Sequence, residues 1–235
     1  MRDIPRVAVI ATHNRPAELV RCLRAIGPQC HYVIVIDNAS VPPVDDLMVH
    51  DEATRECDGA RATRVIRDEE QPPNLSRLWN LGLERAAASL SDGSMPFDVA
   101  VINDDAIPPP GWWDAVSETM RANGAAAGSS DPFGQLMSGT AQVWRADAPA
   151  SVATRLAGWA FILRGELGLR FDERLRWWYG DDLISLRARE LGGVVHIGGY
   201  PVPNTGANAS TVGVLAEQAG RDRATFVQIT GRQPW

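Results

Sequence analysis

The chain has 235 residues, 45% of them hydrophobic, and a formal net charge of −6. That length can hold one large core, and the mild negative balance argues against a polyanion as the main partner. All 23 basic residues are Arg, and the absence of Lys excludes Schiff-base chemistry and the lysine-bearing phosphate loop. Cys22, Cys30 and Cys57 have no metal-like spacing and read as reduced thiols of a cytoplasmic protein. No apolar run approaches a membrane span and no leader pattern opens the chain, so a soluble, unanchored protein is expected.

The first unit is a strand, Val7-Ala-Val-Ile-Ala11, followed by Thr12-His-Asn-Arg15 and a helix. Asn14 suits its N-cap, Pro16 its first turn, and Leu19, Leu23 and Ile26 its buried stripe. A second strand, Val33-Ile-Val-Ile36, ends in Asp37, whose acid could accept hydrogen bonds from a base or ribose or simply serve a turn. Residues 41 to 59 read as a loop with room for one short helix, and Thr63-Arg-Val-Ile66 as a third strand. Asn74 then caps a strong helix whose stripe is Leu75, Leu78, Trp79 and Gly82, leaving Arg77 and Asn80 at its polar margin. The amino terminus of such a helix is a natural phosphate site.

The fourth strand, Val99-Ala-Val-Ile102, is followed by Asn103-Asp104-Asp105 and then by Pro108 to Pro110. Ligands of open α/β sheets sit outside the carboxyl ends of strands. Alternation places Asn103 and Asp105 on one side, within reach of one hard cation. The competing reading is an Asx-rich turn capping the helix that starts at Trp112. Beyond that helix, Ala125-Ala-Ala-Gly128 reads as the start of a strand, and Ser129 to Ser138, rich in Gly, Ser and Asp, as a mobile lid over the ligand. Gly158-Trp159 leads into the strand Ala160-Phe-Ile-Leu163. Asp181 and Asp182 open a helix after Trp177, Trp178 and Tyr179. Acids at a helix start are favoured by the dipole, and aromatics beside paired acids also wall sugar and base sites. The alternation of strands and helices favours a single α/β domain with a mostly parallel sheet.

In order and spacing these segments resemble the family 2 glycosyltransferases of the GT-A fold, over nearly all of residues 5 to 205. The matching pieces are Thr12-His-Asn-Arg15, Asp37, the Asn74 to Gly82 segment, and Asn103-Asp104-Asp105 in place of the family's Asp-x-Asp. Gly158 to Arg164, Phe171-Asp-Glu173 and Asp181-Asp-Leu-Ile-Ser-Leu-Arg187 follow. The resemblance implies nucleotide-sugar binding by Thr12, Asn14, Arg15, Asp37, Asn74, Arg77, Asn80, Asn103 and Asp104, with a divalent cation (manganese or magnesium) on Asp105. It implies Asp181 as the base, with Asp182 close behind, and Trp159, Trp177 and Trp178 on the acceptor side. The implied activity is metal-dependent, inverting transfer of one sugar from a nucleotide donor, best a uridine diphosphate sugar, to a small saccharide or protein hydroxyl. Donor binding would fall to residues 1 to 105, acceptor binding to 106 to 205, with 206 to 235 a tail.

Departures from the pattern matter. Asn103 replaces the first metal-motif acid, and Gly180 stands where many relatives carry Glu before the catalytic Asp. His196 lies inside its strand and reads as a core residue, while Asn204 stands nearer the family's third metal-ligand position. Processive synthases carry Gln-x-x-Arg-Trp after the acidic pair; here Arg176-Trp177 precedes it, which favours single-sugar transfer. Alternatives are a catalytically inactive nucleotide-sugar-binding module and glycosylation of a modified DNA base. A nucleotidyltransferase on a similar sheet has no support, because the chain lacks the Gly-rich, basic entry loop that one would need.

Overall fold

The computed structural model describes residues 4–55, 60–90, 95–204 and 214–234. Apolar runs rich in Val and Ile become strands because their branched side chains pack well on both faces of a pleated sheet. The first four are β1 (Arg6–Thr12), β2 (Tyr32–Asn38), β3 (Ala62–Asp68) and β4 (Asp98–Asn103). The others are β5 (Ala127–Ser130), β6 (Ala141–Trp144), β7 (Ala160–Arg164) and β8 (Val194–Ile197). They form one 8-stranded sheet in the order β3-β2-β1-β4-β7-β5-β8-β6. β1 to β4 pair in parallel, as do β5 and β8, whereas β7 runs against both its neighbours and β6 against β8. The result is the single α/β domain with a mixed, largely parallel sheet that the element order implies.

Alternation along the strands divides the core into two layers. Ala8, Ile10, Val33, Val35, Ala100 and Ile102 meet α1 (Pro16–Ile26), α2 (Asp46–Ala53) and α4 (Trp112–Ala122) on one face. Val7, Val9, Ile34, Ile36, Val99 and Val101 meet α3 (Leu75–Ser89) and α5 (Gly180–Glu190) on the other. Each fully buried Leu, Ile or Phe contributes about 1.5–3 kcal/mol, so the burial of Leu78 and Leu83 holds α3 to the sheet. Because β7 is antiparallel, its amino end lies with the carboxyl ends of β1, β2, β4, β5 and β8. One edge of the sheet therefore gathers the polar ends of many elements.

Four expectations are corrected. Asn14 does not cap α1: Arg15 is the N-cap residue, without a side-chain cap bond. The lid does not form as drawn, because Ser129 and Ser130 are buried in β5, and Asp131 accepts the backbone N–H groups of Phe133, Gln135 and Leu136. Residues 141–144, assigned no element from sequence, form the edge strand β6. The carboxyl-terminal tail contains α6 (Val214–Thr230).

Gly82 on α3 marks the closest approach of helix to sheet, since a Cβ there would overlap the Val9 side chain on β1. Gly82→Ala gains about 1 kcal/mol of helix propensity, but forced overpacking costs typically about 1–3 kcal/mol. A net loss of stability is expected in urea unfolding. An unchanged or higher midpoint would show that α3 does not press on β1 in this way.

Candidate active site

At the carboxyl end of β4 the chain leaves the sheet after Asn103 and turns. Asp104 and Asp105 then both converge on Arg15, rather than Asn103 pairing with Asp105 as strand alternation suggests. Arg15 donates from Nη1 to Asp104 and from Nη2 to Asp105, each at 2.9 Å. Thr12, the last residue of β1, donates its hydroxyl to the other oxygen of Asp104 at 2.7 Å. The two acids are only 5% and 6% exposed. Burial pushes the Asp104 carboxyl up to about 6, against the opposing pull of the Thr12 hydroxyl and the Arg15 charge. These acids do not cap α4, whose N-cap is Gly111 at φ 77°. Asn103 keeps its main chain in the sheet edge through a 2.9 Å bond from its N–H to the Trp159 carbonyl.

The β1 and β2 turns are fastened to each other. Asn14, at φ 54°, accepts the Val41 N–H on Oδ1 at 2.7 Å, and its own N–H reaches the Ser40 hydroxyl at 2.9 Å. Asp37 is almost fully buried and accepts from the Ser40 and Val44 N–H groups and from Arg67, at 2.9, 3.1 and 2.8 Å. Burial raises its proton affinity, but these donors outweigh burial and hold it below the ordinary carboxylate range. Arg77 pairs with Asp68 and, at 2.8 Å, with Glu70. Asn74 caps α3 as expected, accepting from the Arg77 N–H at 3.1 Å, while its amide donates to the Glu173 carbonyl at 2.9 Å. Asn80 points elsewhere than a donor site requires. It is buried and clamps Phe171 through both backbone groups, at 2.8 and 3.0 Å, with a further bond to Glu173.

The second acidic pair opens α5. Tyr179, at φ 64°, turns the chain so that Gly180 starts the helix. Asp181 lies against Gly158, where a Cβ would overlap its carboxylate. Burial lifts the Asp181 carboxyl above the usual range, and Arg155 opposes that rise. Asp182 is buried and ion-paired with Arg155 at 3.1 Å. The adjacent acids are thus separated in character: one is paired with a guanidinium, the other is set in a glycine notch with raised basicity. The Gly158-Trp159 turn links this pair to the first, because Trp159 bonds Asn103 at the end of β4.

Trp159, Trp177 and Trp178 are half-buried. The Trp159 indole donates to the Val202 carbonyl at 3.0 Å and the Trp178 indole to the Leu215 carbonyl at 3.2 Å, so both rings are anchored. His196 is a buried strand residue 3.3 Å from the Trp144 indole nitrogen, and burial lowers it to about 4. It is a neutral core residue, as the sequence reading holds. Asn204 instead bridges Ala106, next to the first acidic pair. Cys22 and Cys30 are free and buried, with thiols raised by burial, while Cys57 lies outside the described residues. Among the described residues, no group of three His, Cys, Asp or Glu is placed to hold a metal ion, and no helix is long and apolar enough to cross a membrane. Arg155 was not foreseen as a contributor to this site, because it belongs to no motif and acts through a partner distant in sequence; Tyr179, expected only as one of the aromatics before the acidic pair, matters here through its backbone at φ 64°.

The sequence matches no protein-family model and no curated protein. Solved structures do match. TarS from S. aureus superposes with a TM-score of 0.58 at 15% identity, over 84% of this chain and 36% of TarS. TarS 1–349 in complex with UDP-GlcNAc gives 0.58 at 13% identity, over 95% of this chain and 67% of that one. GalNAc-T7 with UDP, GalNAc and Mn2+ gives 0.56 at 13% identity, over 86% of this chain and 44% of GalNAc-T7. The fold is GT-A-like. The chain spans less than half the length of that TarS chain and of GalNAc-T7.

The buried Asp104 makes stability depend on pH. Its folded value of about 6 lies above the ordinary aspartate value of 3.8, so its contribution is fully present below about pH 3.8 and is lost as pH rises through 6. Holding it ionised at neutral pH costs about 3 kcal/mol. The difference in urea midpoint between wild type and Asp104→Asn should therefore change most between about pH 4 and 6, moving in the variant's favour as pH rises. A difference that stays flat over this window would contradict the assigned burial.

Proposed function

We propose that the protein transfers a single sugar from a nucleoside diphosphate sugar to a hydroxyl acceptor, with inversion at the anomeric carbon. The observation that carries this reading is the pair of acidic sites flanking the Gly158-Trp159 turn: Asp104-Asp105 beside β4 and Asp181 at the start of α5. A donor lies in this reading over the ends of β1, β2 and β4, near Thr12, Arg15, Asp37 and Asn103, with Asn14, Asn74 and Arg77 fixing the surrounding turns. UDP is the favoured nucleotide, supported by TarS with UDP-GlcNAc and GalNAc-T7 with UDP.

The donor set suits a hard cation: two adjacent carboxylates share one guanidinium and keep a net charge of −1. Asp105, with Asp104 beside it, would hold manganese or magnesium, and the remaining ligands would come from diphosphate and water. When bound, such an ion offsets charge on the leaving diphosphate. Asp181 takes the acceptor hydroxyl proton, its raised basicity suiting it to that role, and the deprotonated oxygen attacks from the face opposite the leaving group. Asp182 keeps Arg155 fixed beside the base. Trp159, Trp177 and Trp178 offer apolar ring faces on the acceptor side.

A small saccharide or a protein is favoured over duplex DNA as acceptor. Arg155, Arg174 and Arg187 are paired with Asp182 or Asp172, whereas a phosphate track needs uncompensated cations.

Asp181→Asn should leave UDP affinity in place and lower turnover by about two to four orders of magnitude, measured with donor hydrolysis and transfer assays across acceptor classes. Loss confined to Asp182→Asn would move the base to that residue. A wild-type protein that binds donor yet neither hydrolyses nor transfers it would establish the inactive-module reading instead.

A further inference from the structure

The carboxyl-terminal helix α6 contributes a group that no motif announces. Asp222 is fully buried and accepts three consecutive backbone N–H groups: Arg176 at 3.2 Å, Trp177 at 2.8 Å and Trp178 at 2.8 Å. Gln218, one turn earlier on α6, adds a fourth donor at 2.7 Å. An isolated buried carboxylate is costly, and charge-assisted bonds from several donors are what make it tolerable. Four donors are therefore concentrated on one carboxylate, and three of them belong to the segment that leads into Asp181.

That segment needs holding. Tyr179 lies in the left-handed region at φ 64°, an outlier for a bulky aromatic residue. Such conformations persist where the surroundings over-determine them. Its ring packs on Phe226 of α6, with centroids 5.8 Å apart, beside the buried Leu175 and Leu183. From the other side, the start of α3 holds the same segment: the Leu75 N–H donates to the Arg176 carbonyl at 2.6 Å and the Ser76 hydroxyl to the Leu175 carbonyl at 2.5 Å. α3 and α6 therefore grip residues 175 to 179 between them. Two residues later comes Asp181, already confined by Gly158.

We propose that Asp222 is a positioning residue that, by fixing the Arg176–Trp178 backbone and with it the Tyr179 turn, sets the direction in which Asp181 meets the acceptor hydroxyl. The proposal rests on the reading of Asp181 as the base. It also explains why the helix following residues 205–213 is tied to the acceptor side of the site: Trp178, whose indole bonds Leu215, is fixed by the same helix.

The test uses the full chain with Asp222→Asn. The amide keeps one acceptor oxygen and turns an NH2 group toward an N–H, so the array is broken without loss of volume. The expected result is a fall in kcat of about ten- to hundredfold, with UDP affinity by calorimetry and donor KM unchanged and cooperative unfolding retained. A folded variant with wild-type kcat overturns the proposal. So does a variant in which kcat, donor affinity and cooperative unfolding fall together, since that marks a purely structural role. If Asp222→Asn does not fold, Phe226→Leu, which trims the ring under Tyr179, should lower kcat with donor affinity intact; unchanged kcat there overturns the proposal. A wild type inactive towards every donor and acceptor instead overturns the transferase reading on which it rests.

Discussion

Arg15 joining Asp104 and Asp105 is the contact on which the geometry of the sheet edge depends. Two neighbouring carboxylates with almost no exposure repel each other and lose hydration, and without a compensating cation one or both would be driven to protonate. The guanidinium spans both in its planar fork, and Thr12 takes a further oxygen of Asp104. Because Arg15 is also the N-cap residue of α1, this contact couples the turn after β4 to the β1–α1 turn. Asn14 and Asp37 extend the coupling to the turn after β2, through the Val41, Ser40 and Val44 N–H groups. Polar side chains thus set the shape of the edge, while the apolar layers beneath hold the sheet that carries it.

The same logic governs the second half of the edge. Asp182 is held by Arg155, Asp181 rests in the notch left by Gly158, and the Trp159 carbonyl ties that notch to β4. Substituting a larger residue at Gly158 would push the carboxylate out, which gives this glycine a steric reason to be there. The two acidic pairs are therefore held by different partners but joined through one short turn. A donor and an acceptor sharing that edge would be aligned by groups whose positions are fixed before either arrives, the condition under which orientation contributes most to rate.

Much of this was legible in the sequence because it rests on local pattern. β1, β2 and β4 are unbroken apolar runs, α1 and α3 carry clear buried stripes, and the polar residues fall where those strands end. The failures have physical causes. Ser129 and Ser130 resemble loop residues, yet they sit inside β5 because their hydroxyls find partners there, including the Ala157 N–H and the Trp112 indole. Asn80 has the spacing of a ligand-binding amide, but its partner Phe171 is 91 residues away, a pairing no local pattern reveals. Asn103 and Asp105 were placed on one side by strand alternation, which stops applying once β4 ends at Asn103. α6 was missed because its apolar stripe is weak, and what fastens it is chiefly the buried Asp222 and Phe226.

The central claim is that the edge built on Thr12, Arg15, Asp104 and Asp105 receives a nucleoside diphosphate. Calorimetric titration of the full chain with UDP, ADP and GDP, each with and without manganese, tests it most directly. The account predicts saturable binding of UDP in preference to the others, strengthened by manganese, with the manganese effect removed by Asp105→Ala in a protein that still unfolds cooperatively. Absence of binding by all three nucleotides under both conditions, or a manganese effect undiminished in Asp105→Ala, would contradict it.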